Sequence, residues 1–233
     1  MNSRVPKAIL FDFGGTLDSD GVSWKERFYP IYREEGIDWD FQTFERFFYA
    51  SDDSLTEEKL DEVGYPAMLL EQVNRVLRFG DRFDAALARR IADRFHRDSL
   101  GYLERNRTLL ESLSTKYRLG IVANFYGNLE FLCEEIGYRR LFVAVIDSAR
   151  IGVAKPHPAI FKAAFERLNC SPDQAVFVGD NPIRDMAAAK ALAMPHVWLN
   201  TRDPNRQACC EGDPVIRSLL ELAEILDPVP GDG

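Results

Sequence analysis

Four short stretches carry residue types able to handle a phosphoryl group: "DFGGTL" at 12–17, "VANF" at 122–125, "AKPHP" at 154–158 and "GDNPIRD" at 179–185. Asp12 is an isolated carboxylate closing an apolar run. Lys155 sits in a proline-rich loop, and Asp180 and Asp185 form an acidic pair. Carboxylates gathered around one site bind Mg²⁺, which keeps several waters and takes a substrate phosphate oxygen. A lysine supplies the positive charge that a phosphoryl group in transit needs. Gly15 and Gly179 let backbone approach such a ligand closely. These residues act together only if the fold brings all four stretches to one edge.

The hydrophobic periodicity predicts such a fold. "KAILFDF" at 7–13 reads as a buried strand ended by glycines. From Ser23 to about Tyr102 the texture is helical: Trp24, Phe28, Ile31 and Tyr32 share one stripe, and Phe41, Phe44 and Phe48 share the next. Two further helical stretches cover about 66–79 and 84–103. Helix and strand then alternate. "TLLESLSTKY", "GNLEFLCEEIG" (closed by Gly137), "HPAIFKAAFERLN" and "PIRDMAAAKALA" (opened by Pro182) read as helices. "RLGIVAN", "LFVAVID", "QAVFVGD" and "HVWLN" read as strands. The expected class is α/β: a Rossmann-like, doubly wound parallel sheet with an inserted all-helical cap. The core takes residues 1–19 and 103–228, the cap 20–102, and 229–233 form a flexible tail. Ligands bind at the carboxyl ends of parallel strands, so an insert leaving the first strand covers the site as a lid.

The 233 residues carry a net charge of −8 with no cluster of Lys and Arg, which argues against nucleic acid or an anionic membrane as partner. No apolar run approaches the ~20 residues needed to span a bilayer, and the N-terminus lacks a secretory h-region, so a cytoplasmic protein is expected. Cys133, Cys170, Cys209 and Cys210 have no ligand spacing and read as reduced thiols. His96, His157 and His196 lie far apart and read as structural. Asp18 and Asp20 are expected to be solvated hinge residues, with Asp20–Gly21 in a turn. Arg75, Arg78, Arg82, Arg89 and Arg90 read as a solvated face. The ten aromatic rings between Trp24 and Tyr49 read as cap core, with Tyr29, Trp39 and Tyr49 off the main stripes.

In order, spacing and wording, the four stretches and the helical insert resemble the haloacid dehalogenase-like (HAD) superfamily across essentially the whole chain. The resemblance implies a Mg²⁺-dependent phosphatase acting on a small phosphorylated metabolite, with Asp12 as nucleophile forming an aspartyl-phosphate and Lys155 as phosphate-binding lysine. It further implies Ala123, Asn124 and Lys155 at the substrate phosphate, and Asp12, the Gly14 carbonyl, Asp180 and Asp185 at the metal. A homodimer is compatible with it. Two positions depart from the family pattern: Gly14 stands where an acid/base aspartate is expected, and Ala123 where a Ser or Thr is. General acid help is worth roughly 10²–10⁴-fold, and one hydrogen bond to developing charge roughly 10²–10³-fold. The alternative reading is therefore a catalytically impaired relative that binds a phosphorylated ligand or a protein. A phosphonate-hydrolase reading requires a cap lysine, Lys25 or Lys59, for a Schiff base. Dehalogenases carry a bulky aromatic at position 14, which Gly14 with two downstream acids argues against. A carboxylate other than position 14, Asp18 first, is the competing source of acid/base help.

Overall fold

A computed structural model describes residues 6–58, 60–201 and 213–226. The chain enters through β1 (Ala8–Phe11) and leaves the sheet for four helices, α1 (Trp24–Glu34), α2 (Phe41–Glu58), α3 (Tyr65–Phe79) and α4 (Ala85–Ser114). It returns through β2 (Arg118–Ala123), α5 (Leu129–Glu135), β3 (Phe142–Asp147), α6 (Ser148–Ile151) and α7 (Pro158–Leu168). Next come β4 (Ala175–Gly179), a π-helical turn (Pro182–Ala187), α8 (Ala188–Ala191), β5 (His196–Leu199), β6 (Val215–Ile216) and α9 (Leu222–Leu226).

All six strands pair in parallel, in the order β3-β2-β1-β4-β5-β6. Alternation along β1 builds both layers: Ala8 and Leu10 pack with Ile160, Phe161 and Ala164 of α7, while Ile9 and Phe11 pack with Leu110 and Leu113 of α4. The chain moves outward from β1 through β2 to β3, then restarts on the other side of β1 with β4. That reversal opens a crevice at the carboxyl ends of β1 and β4, the place where such sheets bind ligands.

The helical insert is capped as its sequence dictates. Ser23 N–H and hydroxyl both donate to Glu26 at the start of α1, at 3.2 and 2.7 Å, and Asp84 accepts from Leu87 N–H at the start of α4, at 2.7 Å. The expected helices over 84–103 and 108–117 are one helix of 30 residues. Its buried stripe runs on from Ile91 and Phe95 through Ser99, Leu103 and Asn106 to Leu110 and Leu113, so no break occurs, and the boundary expected between 102 and 103 lies inside α4. The helix expected to open at Pro182 begins as a π turn, and a sixth strand of two residues, too short for any periodic signal, joins the sheet edge. The expected tail, 229–233, lies outside the described residues, as do Cys209 and Cys210. Among the described residues no helix is long and apolar enough to cross a membrane.

Candidate active site

Asp12 directly follows β1, where its N–H donates to Val178 O of β4 at 2.9 Å. Asp180 follows β4; its carbonyl accepts from Trp198 Nε1 at 2.9 Å and its Oδ1 from Thr16 Oγ1 at 3.2 Å. Asp185 sits one helical turn on, fully buried, its Oδ2 accepting from Asn181 N–H at 3.0 Å. Lys155 reaches in from the loop after β3. Asn124 fixes that loop reciprocally: its Oδ1 accepts from Lys155 N–H at 2.7 Å, and its Nδ2 donates to Lys155 O at 3.1 Å.

The side chains converge. Lys155 Nζ lies 2.7 Å from Asp12 Oδ1 and 2.7 Å from Asp185 Oδ1. Asp12, Asp180 and Asp185 each offer an oxygen, and the three oxygens lie within 4.8 Å of one another. Two glycines make this packing feasible. A Cβ on Gly15, whose φ is +94°, would lie 2.6 Å from Asp180 Oδ2, and one on Gly179 would lie 2.5 Å from Asp185 Oδ2.

Three acids share one lysine, and the electrostatics record the imbalance. Burial pushes the Asp180 carboxyl well above its ordinary range, and the neighbouring Asp12 and Asp185 push it further. Burial also raises Asp185, against the pull of Lys155. Burial alone would favour neutral Lys155, but Asp12 and Asp185 reverse that and hold its ammonium charged. Although at ion-pair distance, Lys155 Nζ and Asp185 Oδ1 have no contact with hydrogen-bond angles and are buried. An oxygen-only donor set and surplus negative charge fit a hard divalent cation such as Mg²⁺.

The cluster floors a cavity of about 90 Å³, several water-sized positions. Asp12, Gly14, Asn124, Lys155 and Asp180 line it from the sheet side, Trp24, Lys25, Tyr49 and Asp52 from the helical insert. Ala123 does not line the cavity; it is buried at the end of β2, opposite Asp147 of β3. Gly14 lies against Trp24, whose Nε1 would be 3.0 Å from an added Cβ.

Two expectations are corrected. Asp18 is not a solvated hinge residue: it is fully buried and accepts from Gly15 N–H (2.7 Å), Trp24 Nε1 (2.7 Å), Arg27 (3.0 Å), Tyr65 hydroxyl (3.2 Å) and Ser99 hydroxyl (3.2 Å). Four of these five donors come from α1, α3 and α4, elements whose proximity no local pattern announces. Occupied in this way and absent from the cavity lining, Asp18 is no proton donor to a ligand there. Asp20 is not free either: Arg105 grips it at 2.6 and 2.7 Å, and Leu219 N–H donates to it at 3.1 Å.

Other singled-out residues fall away from the chemistry. His157 caps α7 through Nδ1, His196 pairs with Asp213 at 2.8 Å, and His96 stacks edge-on against Tyr65. Tyr29 and Trp39 pack within the insert, while Tyr49 reaches the cavity. Lys25 also reaches it but is tied to Glu45 and to the Tyr49 hydroxyl, which keep it protonated against the effect of burial. A Schiff-base nucleophile needs the neutral amine. Lys59 lies outside the described residues.

Sequence reasoning missed Asp52 and Arg184. Asp52 in "YASDDSL" reads as an ordinary solvated helix residue, its one faint signal being its place a turn after Phe48 and Tyr49. Arg184, between Asp180 and Asp185, reads in sequence only as part of a helix start. Asp12, Asp185 and Asp180 keep its guanidinium firmly protonated against the effect of burial, and among the described residues it has no salt-bridge partner.

The fold and the site place the chain in the class of parallel-sheet α/β proteins that gather acids and a lysine at the carboxyl ends of their strands. Within that class, the model of the haloacid dehalogenase-like hydrolases matches residues 6–192, and the chain belongs to that family. A glyceraldehyde 3-phosphate phosphatase of Pyrococcus furiosus is 32% identical over 143 residues, 57% of this chain and 59% of that protein. A phosphoglycolate phosphatase of Xanthomonas campestris pv. campestris is 28% identical over 212 residues, 83% of each chain. Haloacid dehalogenase-like hydrolase domain-containing protein 3 of Danio rerio is 29% identical over 126 residues, so the chain spans about half of that relative's length, 52% of each. The crystal structure of a HAD phosphatase from Thermococcus onnurineus matches with a TM-score of 0.54 and 26% identity over 94% of this chain and 97% of that one. A dehalogenase solved as an intermediate complex matches with a TM-score of 0.66 over 95% and 97%, but at 18% identity the likeness is one of fold alone.

Proposed function

We propose that the protein is a Mg²⁺-dependent phosphatase that hydrolyses a small phosphorylated metabolite through an aspartyl-phosphate on Asp12. The observation that carries this reading is the Lys155–Asp12–Asp185–Asp180 cluster beneath a small cavity lined from both the sheet and the insert. Asp12, Asp180 and Asp185, with the Gly14 carbonyl, would hold Mg²⁺, which when bound draws charge from the phosphoryl oxygens. Lys155 orients Asp12 through its 2.7 Å contact and offers positive charge to the phosphoryl group. The Asp12 carboxylate attacks phosphorus as the ester P–O bond breaks and the alcohol departs, and water then attacks the aspartyl-phosphate, releasing phosphate and regenerating the carboxylate. The insert excludes bulk water while this proceeds. Lys25 and Arg184, both at the cavity wall, suit an anionic substrate. Relatives named for glyceraldehyde 3-phosphate and phosphoglycolate support a small, negatively charged phosphate ester.

A second reading, a catalytically impaired binder of a phosphorylated ligand, is favoured by Trp24 at the Gly14 position and by the missing hydroxyl at Ala123. Hydrolysis of an aryl phosphate by purified protein separates the two. The phosphatase reading expects turnover that needs Mg²⁺ and falls ~10³-fold or more in Asp12→Asn. No Asp12-dependent turnover of the aryl ester or of a panel of metabolite phosphates, with ligand binding retained, would establish the binder.

A further inference from the structure

The aspartate that would protonate a leaving group from position 14 is missing, yet the cavity contains a second, differently placed carboxyl. Asp52 projects from α2 into the same cavity that Asp12, Gly14 and Lys155 line. Two donors hold it, the Tyr126 hydroxyl at 2.6 Å and Gln72 Nε2 at 2.6 Å, and both bind the same oxygen, Oδ1. Oδ2 has no partner among the described residues and is not among the buried atoms cut off from solvent. A carboxyl group held this way has one oxygen committed as an acceptor and the other left to carry a proton into the cavity.

Resting on the phosphatase reading, we propose that Asp52 is the general acid and base of this enzyme, supplied by the insert in place of the residue absent at position 14. In the first step Asp12 bonds to phosphorus, the P–O bond to the alcohol breaks with its electron pair on oxygen, and Asp52 Oδ2 gives that oxygen its proton. In the second, water attacks the aspartyl-phosphate, Asp52 takes back a proton from it, and Asp12 leaves as carboxylate. Each turnover returns both aspartates to their starting forms.

The surroundings suit the role. Burial raises the Asp52 pKa to about 7, opposed by the hydrogen bond from Tyr126, by the charge of Arg184 and by Gln72, and aided by neighbouring Asp53. Across the cavity stand Lys25, Asp12, Lys155 and Asp180. Because the protonated form is the one that acts first, turnover of esters with poor leaving groups should fall as pH rises through about 7.

The test is a leaving-group series, from nitrophenyl through phenyl to alkyl phosphates, with Mg²⁺ present and Asp12→Asn as the blank. Wild type should show a shallow dependence on the leaving group. Asp52→Asn should lose ~10²–10⁴-fold in kcat/KM on alkyl esters, while kcat/KM on nitrophenyl phosphate, whose leaving group needs no proton, is largely kept and its kcat falls, because Asp52 also serves as base toward water in the second step. Tyr126→Phe removes a bond that favours the ionised form, so it should move the basic limb of the phenyl phosphate pH profile upward, a shift that does not require Asp52→Asn to fold. Equal losses across the series in Asp52→Asn, or a basic limb unmoved in Tyr126→Phe, would overturn the role of Asp52 and leave the phosphatase intact. Absence of any Asp12-dependent turnover in wild type would overturn the phosphatase reading itself.

Discussion

A Cβ on Gly14 would lie 3.0 Å from Trp24 Nε1, and the indole has little room to retreat. Its N–H donates to Asp18 at 2.7 Å, and its ring contacts those of Tyr65, Phe95 and Phe125. Gly14→Asp therefore sets its Cβ against the Trp24 indole, which cannot give way without disturbing these contacts, rather than simply restoring a proton donor. Overpacking of this kind costs about 1–3 kcal/mol, and at about 2–4 °C per kcal/mol for a chain of this size thermal melting should register a loss of several degrees, with no gain on alkyl phosphates. An unchanged Tm together with new alkyl phosphatase activity would show that Trp24 yields and that glycine alone removed the acid. Asp18 explains why Trp24 is so fixed: with Arg27 as a buried ion-pair partner it gathers donors from the first loop and three helices, and such an arrangement holds only when each donor is in place.

Among the elements, α4 has the longest reach, running from the insert back to the sheet without interruption. Gly101 lies within it, exposed, and a Cβ there would meet nothing within 4 Å. Glycine inside a helix costs roughly 0.5–1 kcal/mol relative to alanine. Gly101→Ala should accordingly raise Tm by about 1–4 °C, read by circular dichroism, whereas a fall would show that the helix bends at that residue. A matching loss of turnover in the stabilised variant would assign that flexibility to opening of the insert. The neighbouring tie between Arg105 on α4 and Asp20 anchors the point where the chain leaves the sheet.

At the scale of the molecule, insert and sheet share one apolar core. Trp24, Phe28 and Phe95 belong to the same cluster as Ile9, Phe11, Phe13 and Phe125, with Phe28 and Phe95 stacked 3.8 Å apart. The acids beneath this lid repel one another, and a divalent cation binding only the folded chain relieves that repulsion. Stabilisation by a ligand at about 100 times its Kd amounts to about 2.7 kcal/mol, so saturating Mg²⁺ should raise Tm by about 5–10 °C. Asp180→Asn should remove most of that increment. An equal rise in wild type and variant would place the ion elsewhere.

The order of the strands, the helical insert between the first and second, and the four chemical stretches at strand ends were legible because each is written in local periodicity: apolar runs for strands, a 3.6-residue stripe for helices, glycine and proline at the joints. Those patterns also put Asp12, Lys155, Asp180 and Asp185 on one edge, since a parallel sheet brings all its carboxyl ends together. They said nothing of Trp24 against Gly14, of Asp18 as a buried hub, or of Asp52 meeting Tyr126, 74 positions away. Each of these depends on how the insert's faces seat on the sheet, a matter of three-dimensional packing between segments distant in the chain. The same carboxylate reads as a solvated helix residue in sequence and as a desolvated acid beside Tyr126 and Gln72 once the two parts are packed, because burial and partners, not residue type, set its proton affinity.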